Sequence, residues 1–281
     1  MLSIREFGFH ATPGNYFHLG FLNYPSYYTF VFQNFQVNMR TLFIREISGF
    51  FSSFTGYVVI IVFILLTGMF MWVFNGEMNV LENGYASLDT LFSLAPWVFL
   101  FLVPAITMRM IAEEKRTGTL ELLFTRPVNE IQIVIAKFLA AWVLILAALL
   151  PTLVFFISVW LLGSPPGNID TGGTWGSYIG LLFLGGVYAA IGLFSSSLTS
   201  NQIIAFIISV ILCFTLYLGF DFISTLGGSG PTTLFITRLG IDFHYLSMAR
   251  GVIDSRDLIY FISVIFLFLY TTRVVLLSRK W

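Results

Sequence analysis

In a chain this apolar, chemistry must come from a small set of polar side chains, and their types and spacing exclude most reactions. No G-x-x-x-x-G-K-[ST] run occurs that could cradle nucleotide phosphates. There is no H-E-x-x-H, no Cys and His group at metal-ligand spacing, and no Ser, His and Asp set placed on apolar segments. The chain should therefore bind no cofactor itself, and an intramembrane enzyme is disfavoured. Its single cysteine, Cys213, lies in an apolar run, cannot close an intrachain disulfide and reads as a small core residue.

Three isolated ionisable groups stand in or beside apolar stretches. Lys137 lies in the first turns of a long apolar helix, where its stem is expected to carry the ammonium out to the interface. Asp221 is the one acid inside a predicted span, near its outer end. An intramembrane acid is what a secondary transporter or channel would use, and that is the competing reading, although no internal repeat joins the two halves. His244 reads as an interfacial hydrogen-bonding residue.

The densest polar run is Arg109 to Glu130, RMIAEEKRTGTLELLFTRPVNE. Met110 to Arg116 should continue a helix, Gly118 can supply the left-handed residue that ends it, and Pro127 halts any helix formed after that glycine. A short helix from Thr119 to Thr125 is left between them. Thr119 can cap it, and Glu121 sits in its first turn, where exposed amides favour a carboxylate. Leu120, Leu123 and Phe124 then share one face. Three large apolar groups on a water-exposed helix need cover, so the helix either lies on the membrane surface or docks in a groove of another protein.

The elements that must position these residues are membrane spans. Hydrophobic residues make up 57% of the chain and charged ones 10%, with mean hydropathy +0.89, which excludes a soluble globule. Net charge is zero and the bases are scattered, so nucleic acid is not a partner. A lipid bilayer is, and crossing it takes about 20 largely apolar residues. Six stretches qualify: Gly56 to Phe74, Leu91 to Ile111, Ile131 to Leu162, Tyr178 to Leu198, Ile203 to Ile223 and Leu258 to Leu277. The third, about 48 Å long as a helix, exceeds the bilayer and should emerge on one side. Pro104 and Pro151 are expected to kink two spans. Ahead of the spans, Arg40 to Phe54 carries Phe43, Ile47, Phe50, Phe51 and Phe54 at helical spacing, which predicts an amphipathic interfacial helix. Residues 1–38 read as a poorly ordered extension, with Met39 a candidate for the true start.

Basic residues set the orientation. Arg40 and Arg45 precede the first span, Arg109, Lys115, Arg116 and Arg126 fill the second loop, and Arg273, Arg279 and Lys280 close the chain, so both termini are expected in the cytoplasm. Glu77, Glu82 and Asp89 in the first loop and Asp170 in the third should face outward. The last loop breaks the pattern, because Arg238, Arg250 and Arg256 lie where the six-span count requires the outside.

The run Glu113, Glu114, Lys115, Arg116, Gly118, Thr119, Leu120, Glu121, Leu123, Thr125, Pro127 and Val128 resembles the cytoplasmic coupling segment of type-2 ABC exporter permeases. The resemblance extends over Met39 to Trp281. A second stretch, FHYLSMARGVIDSRDLIYF from Phe243 to Phe261, is similar to the segment before the last span in permeases of gliding motility, and less so to those of nitrous-oxide-reductase maturation. The resemblance implies an all-α permease of the bacterial inner membrane, paired with a second permease subunit and served by a separate ATP-binding subunit that holds ATP and Mg. It further implies that Leu120 to Phe124 make the contact with that subunit, with Glu113 and Glu114 as supporting polar groups. In such relatives the segment before the last span forms short helices that partly re-enter the membrane.

Overall fold

The computed structural model of the protein describes residues 39–124, 129–226, 231–251 and 254–278. Expectations for residues 1–38, for Thr125 to Val128 with Pro127 among them, and for Arg279 and Lys280 lie outside these ranges. Every regular element among the described residues is helical. Six helices are long and apolar enough to cross a membrane: span 1 (Phe54–Trp72), span 2 (Asp89–Arg116), span 3 (Glu130–Leu162), span 4 (Thr171–Leu198), span 5 (Gln202–Thr225) and span 6 (Ser255–Leu277). A helix over Met39–Ser52 precedes them. This is the all-α, six-span architecture that hydropathy predicts, with the interfacial helix in its expected place.

Span 4 is the centre of the bundle, packing against spans 2, 3, 5 and 6. Its composition explains the position, since small residues let neighbouring backbones approach closely where no hydrophobic effect pulls helices together. A Cβ at Gly185 would stand 2.8 Å from Ile145 of span 3, and one at Gly192 would overlap Thr107 of span 2. Gly185, Gly186 and Gly192 are buried inside this chain, each facing its other spans. Spans 1, 5 and 6 are the least buried and carry exposed apolar side chains such as Ile61, Ile207 and Phe266, a surface suited to lipid or a neighbouring subunit.

Irregularities follow from individual residues. Asp170 starts span 4 at Thr171, ahead of the expected Tyr178, because its carboxylate accepts a 3.0 Å hydrogen bond from the Gly173 amide. Span 2 stays one helix through Pro96 and Pro104. Pro151 does interrupt span 3, which passes through a 3-10 turn at Leu150–Thr152. Span 5 contains a π turn at Thr215–Gly219 that no sequence signal marks.

Between spans 5 and 6 lie two short helices, Pro231–Thr237 and Ile241–Ala249. The second packs on the start of span 4. Ser177 donates to the Ala249 carbonyl at 3.3 Å, and Gly251, with φ +82°, passes so close to Gly172 and Gly173 that a side chain has no room. Tyr245 donates to the Phe92 carbonyl at 2.7 Å, near the beginning of span 2. The loop therefore sits at the end of the bundle opposite the charge run, and the six-span count holds despite Arg238 and Arg250.

Candidate functional site

The site is built where span 2 leaves the bundle. Span 2 continues through Lys115 and Arg116, Gly118 adopts φ +71°, and a six-residue helix, Thr119–Phe124, comes next. The left-handed glycine that helix grammar requires is thus present. Thr119 does not cap the short helix as expected: it is the first helical residue, and its hydroxyl points back to Thr117 Oγ1 at 2.9 Å and the Glu114 carbonyl at 3.4 Å. Leu120 departs from expectation too. It is 7% exposed and joins the chain's own core, so it is no free contact for another protein. Glu113, Thr119 and Glu121 are exposed. The side chains of Leu123 and Phe124 lie outside the described part of the structure, as does Pro127.

The root of this segment is clamped from two sides. On one side stands the end of span 4, where three consecutive serines are fully buried. The Ser196 hydroxyl donates to the Met108 carbonyl at 2.8 Å and accepts from the amides of Ile111 at 3.1 Å and Ala112 at 2.9 Å. One side chain thereby enters the backbone ladder of span 2 a turn before Glu113. The Lys115 ammonium reaches the Ser197 carbonyl beside it.

On the other side lies an ion network that hydropathy and motif spacing do not reveal. Lys137 does not snorkel. Its side chain is 2% exposed, and its ammonium donates to Glu114 at 2.8 Å, to Glu46 at 3.1 Å and to the Met110 carbonyl at 2.8 Å. Arg45 of the interfacial helix binds the same two carboxylate oxygens, at 2.7 Å from Glu46 and 3.1 Å from Glu114. The reason is positional. The interfacial helix packs across the first turns of span 3 and closes the route by which a lysine would reach water. A buried ammonium without partners is so unfavourable that both glutamates and a carbonyl must surround it. Burial alone would raise the Glu46 carboxyl, but attraction to Lys137 and hydrogen bonds from Arg45 and Lys137 outweigh it and hold the group below its usual range. Arg109 completes this corner by donating to Thr55 and lying 5.8 Å from the centroid of the Phe50 ring. A groove of about 480 Å³ opens here between the interfacial helix and the end of span 2.

The opposite end of the bundle carries a different polar cluster. His244 bonds Asp257 through Nδ1 at 2.6 Å, donates from Nε2 to the Arg238 carbonyl at 2.8 Å, and stacks on Tyr260 at 3.9 Å. It is the hydrogen-bonding residue expected of it. Nearby, burial raises the Asp242 carboxyl above its ordinary value, the Tyr217 hydroxyl opposes this, and the Asp221 carboxylate adds to it. Asp221 itself is exposed. No group of three or more His, Cys, Asp or Glu side chains suited to a metal ion occurs among the described residues. Cys213 is buried in the core, as its apolar setting predicts.

A family model described as "ABC-2 family transporter protein" matches residues 77–278, which is more than half of the chain. The matched range starts in the first loop and ends just past span 6, so it contains the charge run and leaves out the interfacial helix and span 1. No curated protein gives a significant match.

Proposed function

The chain belongs to the ABC-2 transporter family, and from that premise we propose that it is the permease subunit of an ATP-driven exporter that meets its ATP-binding subunit through the segment Glu113 to Pro127. As a member of this family it is a multi-pass membrane component of transport and not itself catalytic. ATP and Mg would be held by the partner, whose sandwich closure drives the spans. The observation that carries the reading is the placement of helix Thr119–Phe124: a left-handed glycine turns it off the end of span 2, while its root is tied to spans 3 and 4 and to the interfacial helix. A push on that helix reaches spans 3 and 4 and the interfacial helix through bonds made by the end of span 2.

Leu120 belongs to the permease core, so the contact surface would be the exposed Thr119 and Glu121 together with the residues after them, with Glu113 alongside. Two permease subunits, identical or different, would line the export path. The bases flanking spans 1, 2 and 6 support a bacterial inner-membrane protein with both termini in the cytoplasm. The stretch from Phe243 to Phe261 favours an assembly of the gliding-motility kind.

Affinity purification from the native membrane tests this. Wild-type protein should bring down an ATP-binding subunit with ATPase activity, and a Glu121→Arg, Leu123→Asp variant that inserts normally should not. An intact ATPase on the variant would remove the contact from this segment, and absence of ATPase with either protein would favour a secondary transporter.

A further inference from the structure

We propose that Glu46, Glu114 and Lys137, with Arg45, form the joint through which movement of the Thr119–Phe124 helix is handed to the interfacial helix and span 3. The inference rests on the reading of that helix as the contact with an ATP-binding subunit, and it assigns positioning roles to Arg45, Glu46 and Lys137, outside that contact, and to Glu114 at its root.

Three features carry it. The network joins elements far apart in sequence: Glu46 on the interfacial helix, Glu114 at the end of span 2 and Lys137 on span 3. Nothing in the local fold of any one element requires the other two charges. The Lys137 side chain is 2% exposed, so giving up a carboxylate when span 2 shifts is costly. A displacement of Glu114 must drag Lys137 and Glu46 along or leave a buried charge unpaired. Finally, Glu114 lies on the last turn of span 2, and the only residues between it and the short helix are Lys115 to Gly118.

The site differs in kind from the other clamp on the same segment. Ser196 and Ser197 hold the root to span 4 through hydrogen bonds in which one partner is always a backbone group. The Arg45, Glu46, Glu114 and Lys137 set shares two carboxylate oxygens between two cations, so it stays paired when the three elements move together. The interfacial helix thereby becomes a moving part on the membrane surface, steered by charge.

The test uses the intact complex with its ATP-binding subunit in lipid nanodiscs. An environment-sensitive fluorophore on Ser48→Cys, exposed on the interfacial helix, reports its movement; the native Cys213 is fully buried and will not label. Wild-type complex should show an emission change on trapping with ATP and vanadate. A Glu46→Gln, Lys137→Met variant removes one acid and one base, leaves only the Arg45–Glu114 pair, whose arginine is 53% exposed and which contributes little, and does not alter the contact segment, so it should insert and bind the ATP-binding subunit. In it the emission change should be largely lost. Lys137→Arg should keep the change. A double variant with the wild-type signal, or a wild-type complex without one, would overturn the joint. Failure to recover any ATP-binding subunit with wild-type protein would instead strike at the underlying reading of the short helix.

Discussion

Replacing Lys137 alone by methionine isolates the contribution of the buried ammonium to stability. Methionine fills nearly the same volume, so the loss is electrostatic. It leaves Glu46 and Glu114 facing each other with Arg45 as their remaining cation, and it removes the donor to the Met110 carbonyl. Breaking a fully buried pair typically costs about 3–5 kcal/mol. Here the carboxylates are 15% and 19% exposed and Arg45 is 53% exposed, so water and Arg45 offset part of the loss. A cost of about 2–3 kcal/mol results. For a chain of this size, roughly 2–4 °C per kcal/mol places the fall in melting temperature at about 5–10 °C.

The dependence on pH supplies a second check. Glu46 has a folded pKa below its ordinary value of 4.5, so its pairing stabilises the wild type above that value and is lost as pH falls through the lower folded one. In the Lys137→Met protein Glu46 has lost the Lys137 attraction and can escape repulsion by taking up a proton. The deficit should therefore be largest near neutrality and shrink toward acid. Thermal unfolding in one detergent at pH 7.5 and pH 5 measures both. A Lys137→Met protein that melts within about 1 °C of wild type at pH 7.5, or whose deficit widens in acid, would refute the argument.

Other outcomes rest on single contacts. Leu120→Ala should destabilise by about 2 kcal/mol, the low end for a buried leucine, because the residue lies at the core's edge; the exposed Glu121→Ala should change the melting temperature little. Asp242→Asn should raise the melting temperature at neutral pH: its folded pKa is raised, so ionisation weighs on the fold as pH climbs past the ordinary value of 3.8. His244→Leu should leave Asp257, 6% exposed by side chain and with Oδ2 already unpartnered, without its one charge-capable neighbour; faster proteolysis between residues 238 and 251 would show the loop loosening from span 6.

How much of this is legible in the sequence depends on whether the information is local. Span positions need only apolar length, and Gly118 needs only helix grammar, so both can be read directly. Asp170 is readable as a cap for span 4, since it stands just ahead of Thr171. The triple serine at the end of span 4 is also a usable signal: polar residues in sequence on a buried helix need partners, and the facing span end supplies them. The π turn in span 5 leaves no trace in the pattern. The glycines of span 4 announce close packing but not against which element. Glycine reports that a neighbour is near, and only the tertiary fold says that the neighbours are this chain's own spans 2, 3, 5 and 6.

Lys137 defies its sequence context for a reason that bears on the proposed mechanism. Snorkelling assumes a helix bordered by lipid or water, where a flexible stem always finds the interface. That assumption fails when another element lies across the helix, and the sequence holds the candidate: an amphipathic segment with Arg45 and Glu46 on its polar side. An interfacial helix needs something beneath its polar face if it is to hold a fixed position over the bundle. The first turns of span 3 offer one cation, and the end of span 2 offers Glu114 to balance it. The charge count closes at two acids and two bases. An interfacial helix held by dispersion alone could slide freely past span 2, whereas one held by a balanced set of charges around a buried ammonium must follow it.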